Sequence, residues 1–311
     1  MIGVIRTIGG DLPAELAGPT YTHEHLVIDS PLVAETMPHI HLGSIDEGCA
    51  EVETCVAAGV RTMVDAMPAG SGRDPDKLAR ISILTGMRVV AATGLHTERY
   101  YRDLPWAGAE DPEVLAQRFV ADIEDGIDLF DYRGEKVDRT AILAGVVKVA
   151  TMGVQLNDRD RRLFAAAAIT SQKTGVPILT HTEGGMGGLA QIEELLGLGI
   201  SPDRIALSHT DKVADAGYHR AMLETSAYLC YDQGIREPEQ TFELVGSMVE
   251  SGFADQLLLG TDGARRTLWK TLGGEPGLAS LIGVARERLT SPLVDQIFVV
   301  NPARWLSLAS S

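Results

Sequence analysis

Long apolar runs are missing from this sequence: no uninterrupted stretch approaches the length that a membrane-spanning helix needs. The start, MIGVIRTIGGDLP, has neither the basic residues nor the apolar core of a secretory signal, so export is not expected. Cysteine is scarce. Cys49, Cys55 and Cys230 are odd in number and lie in apolar helix- or strand-like patterns, which argues against a disulfide framework. They suit packing residues in a reducing cytoplasm. Positive charge is in deficit, 27 Lys and Arg against 43 Asp and Glu, for a net charge of −16. That balance argues against a nucleic-acid or anionic-membrane surface, although a pocket on an acidic protein can still be locally basic. No Ser- or Pro-rich linker divides the 311 residues, and no solenoid-length repeat recurs. No GxGxxG follows the first strand pattern, which weakens a dinucleotide-binding reading.

What is present is alternation. Apolar or β-branched runs at 19–28, 60–67, 88–96, 144–151, 177–183, 205–211, 227–232 and 256–263 read as eight strands. Helical patterns lie between them, for example at 46–59, 111–126, 158–175 and 237–252, several opening at Asp or Ser and closing at Gly. The helix at 237–252 instead begins Glu237-Pro238, with proline suited to a first turn. Eight strands alternating with helices predict an α/β fold, a (β/α)₈ TIM barrel, which takes about 250 residues. The surplus is assigned to a short N-terminal extension (1–18), a long loop after the first strand and a C-terminal helix ending at NPARWLSL. The whole of 1–311 is then one barrel domain. An open doubly wound sheet is the competing architecture.

In a barrel, reactive groups gather at the C-terminal ends of the strands. The expected strands offer there His23-Glu24-His25, Asp65, His96, Lys148, His181, His209, Asp232 and Asp262, in chain order. A single strand-end histidine is more often a hydrogen-bonded core or rim residue. Four of them (His23, His25, His181 and His209) at the equivalent ends of three strands, with an aspartate and a lysine, are hard to explain as packing. Residues i and i+2 of a strand share a face, so His23 and His25 enter the barrel together. Imidazole and carboxylate are ligands for zinc, manganese or cobalt, and this many exceed what one open zinc site needs, so two divalent ions are the natural count. His39 and His41, in a loop rich in Pro, Met and Gly, read as loop or pocket lining. His219, in a helical pattern, is expected at the surface.

The stretch AGVVKVAT places Lys148 in an otherwise apolar strand, where an unpaired ammonium is costly. An edge strand with the lysine reaching out to water is the plain explanation. Inside the barrel three others stand: an amine of lowered pKa that adds carbon dioxide to become a metal-bridging carbamate, a Schiff-base lysine, or a salt bridge to Asp262.

Taken together, the segments RTIGGDLPAELAGPTYTHEHL, GVVKVAT, ILTHTE, ALSHTD, LLLGTDGARR and NPARWL, in this order, resemble the phosphotriesterase-like branch of the amidohydrolase superfamily almost end to end. The resemblance implies a hydrolase in which His23, His25 and Asp262 bind one metal and His181 and His209 the other. Lys148, carbamylated by CO2, bridges the two, and Asp262 takes the proton of a bridging hydroxide. After the last strand, TDGARRTLWKTLGGEPGL is most similar to members that hydrolyse phosphorylated furanose lactones. Arg265 and Arg266 offer forked donors for a phosphate, and His96, Tyr100, Lys212 and Arg236 join them as expected substrate contacts. The expectation is a cytoplasmic lactonase acting on a small molecule, with no nucleic-acid or membrane partner. The family makes a homodimer a further expectation, and a phosphotriesterase or broad lactonase/esterase is the alternative.

Overall fold

The computed structural model describes residues 3–308. Two short strands come first, β1 (Val4–Thr7) and β2 (Gly10–Pro13), paired as an antiparallel hairpin within the segment expected only as an extension. The eight expected strands follow as β3 (Thr20–Glu24), β4 (Thr62–Asp65), β5 (Arg88–Leu95), β6 (Ala144–Ala150), β7 (Ile178–His181), β8 (Ile205–Ser208), β9 (Tyr228–Tyr231) and β10 (Leu257–Leu259). Every neighbouring pair from β3 to β10 is parallel and in chain order, so each connection must cross back outside the sheet, and helices do this. The ring comes together where the backbone N–H groups of Thr261 and Asp262 donate to the His23 carbonyl, at 3.2 and 3.0 Å. This is the expected TIM barrel. Among the described residues no helix is long and apolar enough to cross a membrane.

The helix boundaries follow local chemistry. Ser44 caps Ile45–Ala58 by accepting the Glu47 N–H, and that helix stops at Gly59, whose φ of 101° suits glycine. Asn157 and Asp160 form a reciprocal capping box at the start of Asp158–Thr174. The helix expected from 237 runs Pro238–Glu250. Helix Ala216–Leu223 turns His219 inward rather than to the surface. The ring is fully buried between the Tyr231 hydroxyl (2.7 Å) and the Val213 carbonyl (2.8 Å), because this face of the helix also carries Met222 and Leu223 onto the barrel. The sequence pattern alone gave no sign of those two polar partners.

The barrel interior is a packed plug. Val64, Ala66, Val90, Ala92, Val146, Leu179, Ala206, Cys230 and Leu258 form one apolar cluster. Ile5 of the hairpin and Trp305 of the C-terminal helix Asn301–Leu306 complete it from below. Strand alternation then sets what stands above the plug. Lys148, His181, Ser208 and Asp232 each follow an interior residue (Val146, Leu179, Ala206, Cys230) by two positions, so each faces the barrel axis. Lys148 is not on an edge. Its strand β6 is paired with β5 and β7, and the side chain is fully buried.

Two glycines admit the backbone approaches that the upper layer needs. A Cβ on Gly94 (φ 102°) would sit 2.0 Å from the Lys148 carbonyl oxygen, and one on Gly260 would sit 2.7 Å from the His23 backbone.

Candidate metal centre

The first strand delivers its histidines by an irregularity. Thr22 Oγ1 lies 3.2 Å from Cys230 Sγ, and its neighbour His23 puts Nδ1 2.9 Å from Asp232 Oδ2. Adjacent residues of a regular strand would point oppositely. The register shift between Tyr21 and Glu24 allows both to reach the interior side of β9. Glu24 turns away and accepts the Thr261 N–H (2.7 Å) and hydroxyl (2.5 Å), tying the ends of β3 and β10 together. Asp65 serves the backbone just beyond the histidines, accepting the Leu26 N–H at 2.7 Å and the Met67 N–H at 3.1 Å. Strand β10 is shorter than expected, so Asp262 sits on the loop after it. Asp262 and His209 both have left-handed backbones, with φ of 46° and 68°. Such conformations are uncommon for these residues and persist only where surrounding contacts hold them.

The six residues expected as ligands converge. His25 Nε2 is 3.3 Å from Asp262 Oδ1, and His23 Nε2 is 3.9 Å from the same oxygen. Lys148 Nζ lies 3.4 Å from His23 Nε2 and donates to Ser208 Oγ at 3.0 Å. Among the described residues it makes no ion pair with Asp262. On the other side His181 Nδ1 faces His209 Nε2 at 2.8 Å. Burial, reinforced by the charge of Lys148, pushes His23 well below the usual imidazole range. Burial and the neighbouring His209 do the same to His181. Lys148 is pulled down by burial to about 8. Burial works against the charge on Asp262, but His209, His25, His23 and Arg236 outweigh it and hold the carboxyl well below its ordinary value.

These donors suit divalent cations for a reason visible in their hydrogen bonds. An ionised carboxylate only accepts. Asp232 faces Nδ1 of His209 at 2.8 Å, and Glu183 Oε2 faces Nε2 of His181 at 3.0 Å, so those nitrogens carry the hydrogens. The atoms left over, His209 Nε2 and His181 Nδ1, present two bare lone pairs to each other. Imidazole lone pairs converging beside a carboxylate form a cation-binding donor set. On the other side His25 Nδ1 is buried without a partner among the described residues, and His23 Nε2, His25 Nε2 and Asp262 offer the second cluster.

Above these groups opens a cavity of about 560 Å³. His96, Tyr100, Lys212, Arg236 and Arg265 line it as expected. The Thr97 N–H donates to His96 Nδ1 at 2.7 Å, leaving the Nε2 of this neutral ring as a donor. Burial keeps His96 well below the usual histidine value. Arg236 spans the loop ends by donating to Asp262 O (3.0 Å), Asp262 Oδ2 (3.1 Å) and Asp232 O (2.8 Å). Arg266 is a correction. It does not line the cavity but pairs with Glu47 at 2.9 and 3.1 Å and donates to the His41 carbonyl at 3.3 Å, pinning the loop after β3. His39 is pocket lining, whereas His41 is bound to Asp29 at 2.8 Å.

Arg99, Arg102, Glu183 and Gln233 also line the cavity, and of these only Arg99, in the loop after the third barrel strand, stands out in the sequence. Arg99 stands three residues after the strand-end His96, and Glu183 lies in ILTHTE, two residues after a ligand-type histidine. That spacing was the available signal for Glu183.

Known proteins resemble this chain along nearly its whole length. The model of the phosphotriesterase family matches residues 4–306. A phospho-furanose lactonase of Mycoplasmopsis synoviae is 31% identical, over 97% of this chain and 91% of its own. The crystal structure of an amidohydrolase from Mycoplasma synoviae superposes with a TM-score of 0.94 at 28% identity, covering 99% of this chain and 93% of that one. A lactonase from Listeria monocytogenes superposes with a TM-score of 0.88 at 27% identity, covering 99% and 100%.

Proposed function

Because this chain belongs to the phosphotriesterase family, we propose that it is a metal-dependent hydrolase that opens lactones, with phosphorylated furanose lactones as its substrates. One observation carries the choice of substrate. On a chain of net charge −16, the cavity over the donor cluster is lined by five cationic side chains, Arg99, Arg102, Lys212, Arg236 and Arg265, against the carboxylates of Glu183 and Asp262. Locally basic walls on an acidic protein suit an anionic small molecule, and guanidinium groups match phosphate oxygens in forked pairs. The cavity size is in the range of small-ligand sites, roughly 300–1,000 Å³. A bulky neutral triester would use few of these charges.

His23, His25 and Asp262 would hold one cation, His181 and His209 the other, and Lys148 would serve both. The partly neutral amine of Lys148 can add carbon dioxide, releasing a proton and becoming a two-oxygen carbamate. Divalent cations such as zinc, manganese or cobalt, when bound, supply a nucleophilic water at neutral pH and polarise the ester carbonyl. The chain's own residues do the rest. Asp262 accepts the proton from the attacking water and returns it to the ring oxygen as the C–O bond breaks, giving the open hydroxy acid. Arg236, bound to Asp262 Oδ2 and to its carbonyl, keeps that carboxylate turned toward His25. His96, donating from Nε2, and Tyr100 orient the lactone from the β5 side. Residues 1–311 act as one catalytic barrel, and the three free thiols suit a reducing cytoplasm.

The test is turnover of five-membered sugar lactones with and without a 5-phosphate, beside a neutral aryl phosphotriester. Preference for the phosphorylated lactone supports the proposal. Hydrolysis of the triester alone would overturn it.

A further inference from the structure

Asp232 lies just past β9, fully buried, and does not line the cavity, so it cannot touch a substrate there. Its two oxygens are nonetheless fully used. Oδ2 faces His23 Nδ1 at 2.9 Å and accepts the His209 backbone N–H at 3.0 Å, and both oxygens lie within 2.9 Å of His209 Nδ1. Gln233 Nε2 donates to Oδ1 at 2.6 Å. We propose that Asp232 is a positioning residue shared by the two cation sites, one carboxylate setting the tautomer and ring direction of one histidine in each.

The inference rests on the cation sites proposed above, and it adds a coupling between them. A carboxylate that accepts from both rings puts the hydrogen of each on Nδ1 and leaves both Nε2 atoms bare. His23 Nε2 is then aimed toward Lys148 and Asp262, and His209 Nε2 toward His181. The two rings stand 4.9 Å apart, and Asp232 is the brace between them. It also holds the left-handed backbone of His209 through that residue's own N–H.

Asp232 is itself fixed from behind. Asp211 accepts the N–H of Asp232 at 3.1 Å and that of Gln233 at 2.8 Å, with the Thr241 hydroxyl at 2.8 Å. Ligation by Asp232 itself is the competing role, since its carboxylate lies close to His23 and Cys230. Four hydrogen-bond partners already occupy its oxygens, which leaves none directed at a cation. Glu183 is the natural control. It meets His181 Nε2 at 3.0 Å from the cavity side and braces one histidine of one site only.

The experiment compares metal-free parent, D232N and E183Q proteins titrated with zinc against a chromogenic chelator, with metal content counted per chain. The parent should bind two ions. D232N should weaken both binding steps by about tenfold or more, the range for partners behind a ligand, whereas E183Q should weaken one. D232N that binds both ions as the parent does, or loses only one, overturns the inference. A parent that binds no zinc instead overturns the cation sites themselves. Should D232N fail to fold, the parent decides the question. In ¹⁵N-histidine spectra of the metal-free protein, assigned through H23Q and H209Q, both rings should be Nδ1–H tautomers. Nε2–H tautomers would overturn it.

Discussion

His181 and His209 meet across the barrel mouth with Nδ1 and Nε2 2.8 Å apart, and the far nitrogen of each ring is held by a carboxylate. The arrangement makes sense as a waiting pair of ligands. Burial lowers the proton affinity of His181, so a shared proton is a poor occupant. A divalent cation satisfies both lone pairs at once.

Zinc that binds the folded chain and not the unfolded one stabilises it by about 2.7 kcal/mol per site when free metal is at a hundred times Kd. The midpoint of thermal unfolding of chelator-stripped protein should therefore rise by several degrees on adding zinc, and the rise should be roughly halved in H209A, which removes a ligand of one site.

Lys148 makes a pH prediction with a definite sign. Burial lowers its ammonium from 10.5 to about 8. Between those values the unfolded chain keeps a proton that the folded metal-free chain has released, so this group's contribution to stability rises with pH across the window. Below it the buried charge costs the folded state on the order of 1–3 kcal/mol. Metal-free K148M should accordingly be more stable than the parent at neutral pH, with the gap closing as pH climbs through the window. Urea unfolding of both proteins at several pH values checks this.

The two adjacent arginines after β10 should behave differently. Arg265 lines the cavity, so R265A should raise KM for a phosphorylated lactone by roughly 10–100-fold, matching a lost hydrogen bond to a charged group. Arg266 is paired with Glu47, and both side chains are about a third exposed (37% and 33%). R266A should leave KM within about threefold and cost less than about 1 kcal/mol of stability. Steady-state kinetics on the two variants separates them.

How much of this was legible in the sequence differs by residue. The ring of ligand-type residues was visible because strand alternation and chain order alone put Lys148 and His181 on the axis. Arg266 lies off the cavity because its partner Glu47, 219 residues away in sequence, stands in the first turn of the helix Ile45–Ala58. His219 was misjudged because the Tyr231 hydroxyl that receives it is reached only after the helix docks. The hairpin of β1 and β2 was missed for a related reason. Its strands of four residues each gain their support from the barrel floor, as in the Ile8 N–H bond to the Val89 carbonyl, rather than from a local pattern.

Gly94 links fold to site. Its φ of 102° and the 2.0 Å approach of the Lys148 carbonyl to an added Cβ leave no room for alanine. G94A should lower stability by more than about 2 kcal/mol, or shift β5 against β6, and reduce metal content in either case. Chemical denaturation and metal analysis of the purified variant read both effects.

The most direct measurement is metal content per chain, taken together with hydrolysis of a 5-phosphorylated furanose lactone, before chelation, after it and after zinc is returned. Two ions per chain are expected, with turnover lost as they are removed and recovered as they return. Undiminished lactone hydrolysis by the metal-free protein would contradict it.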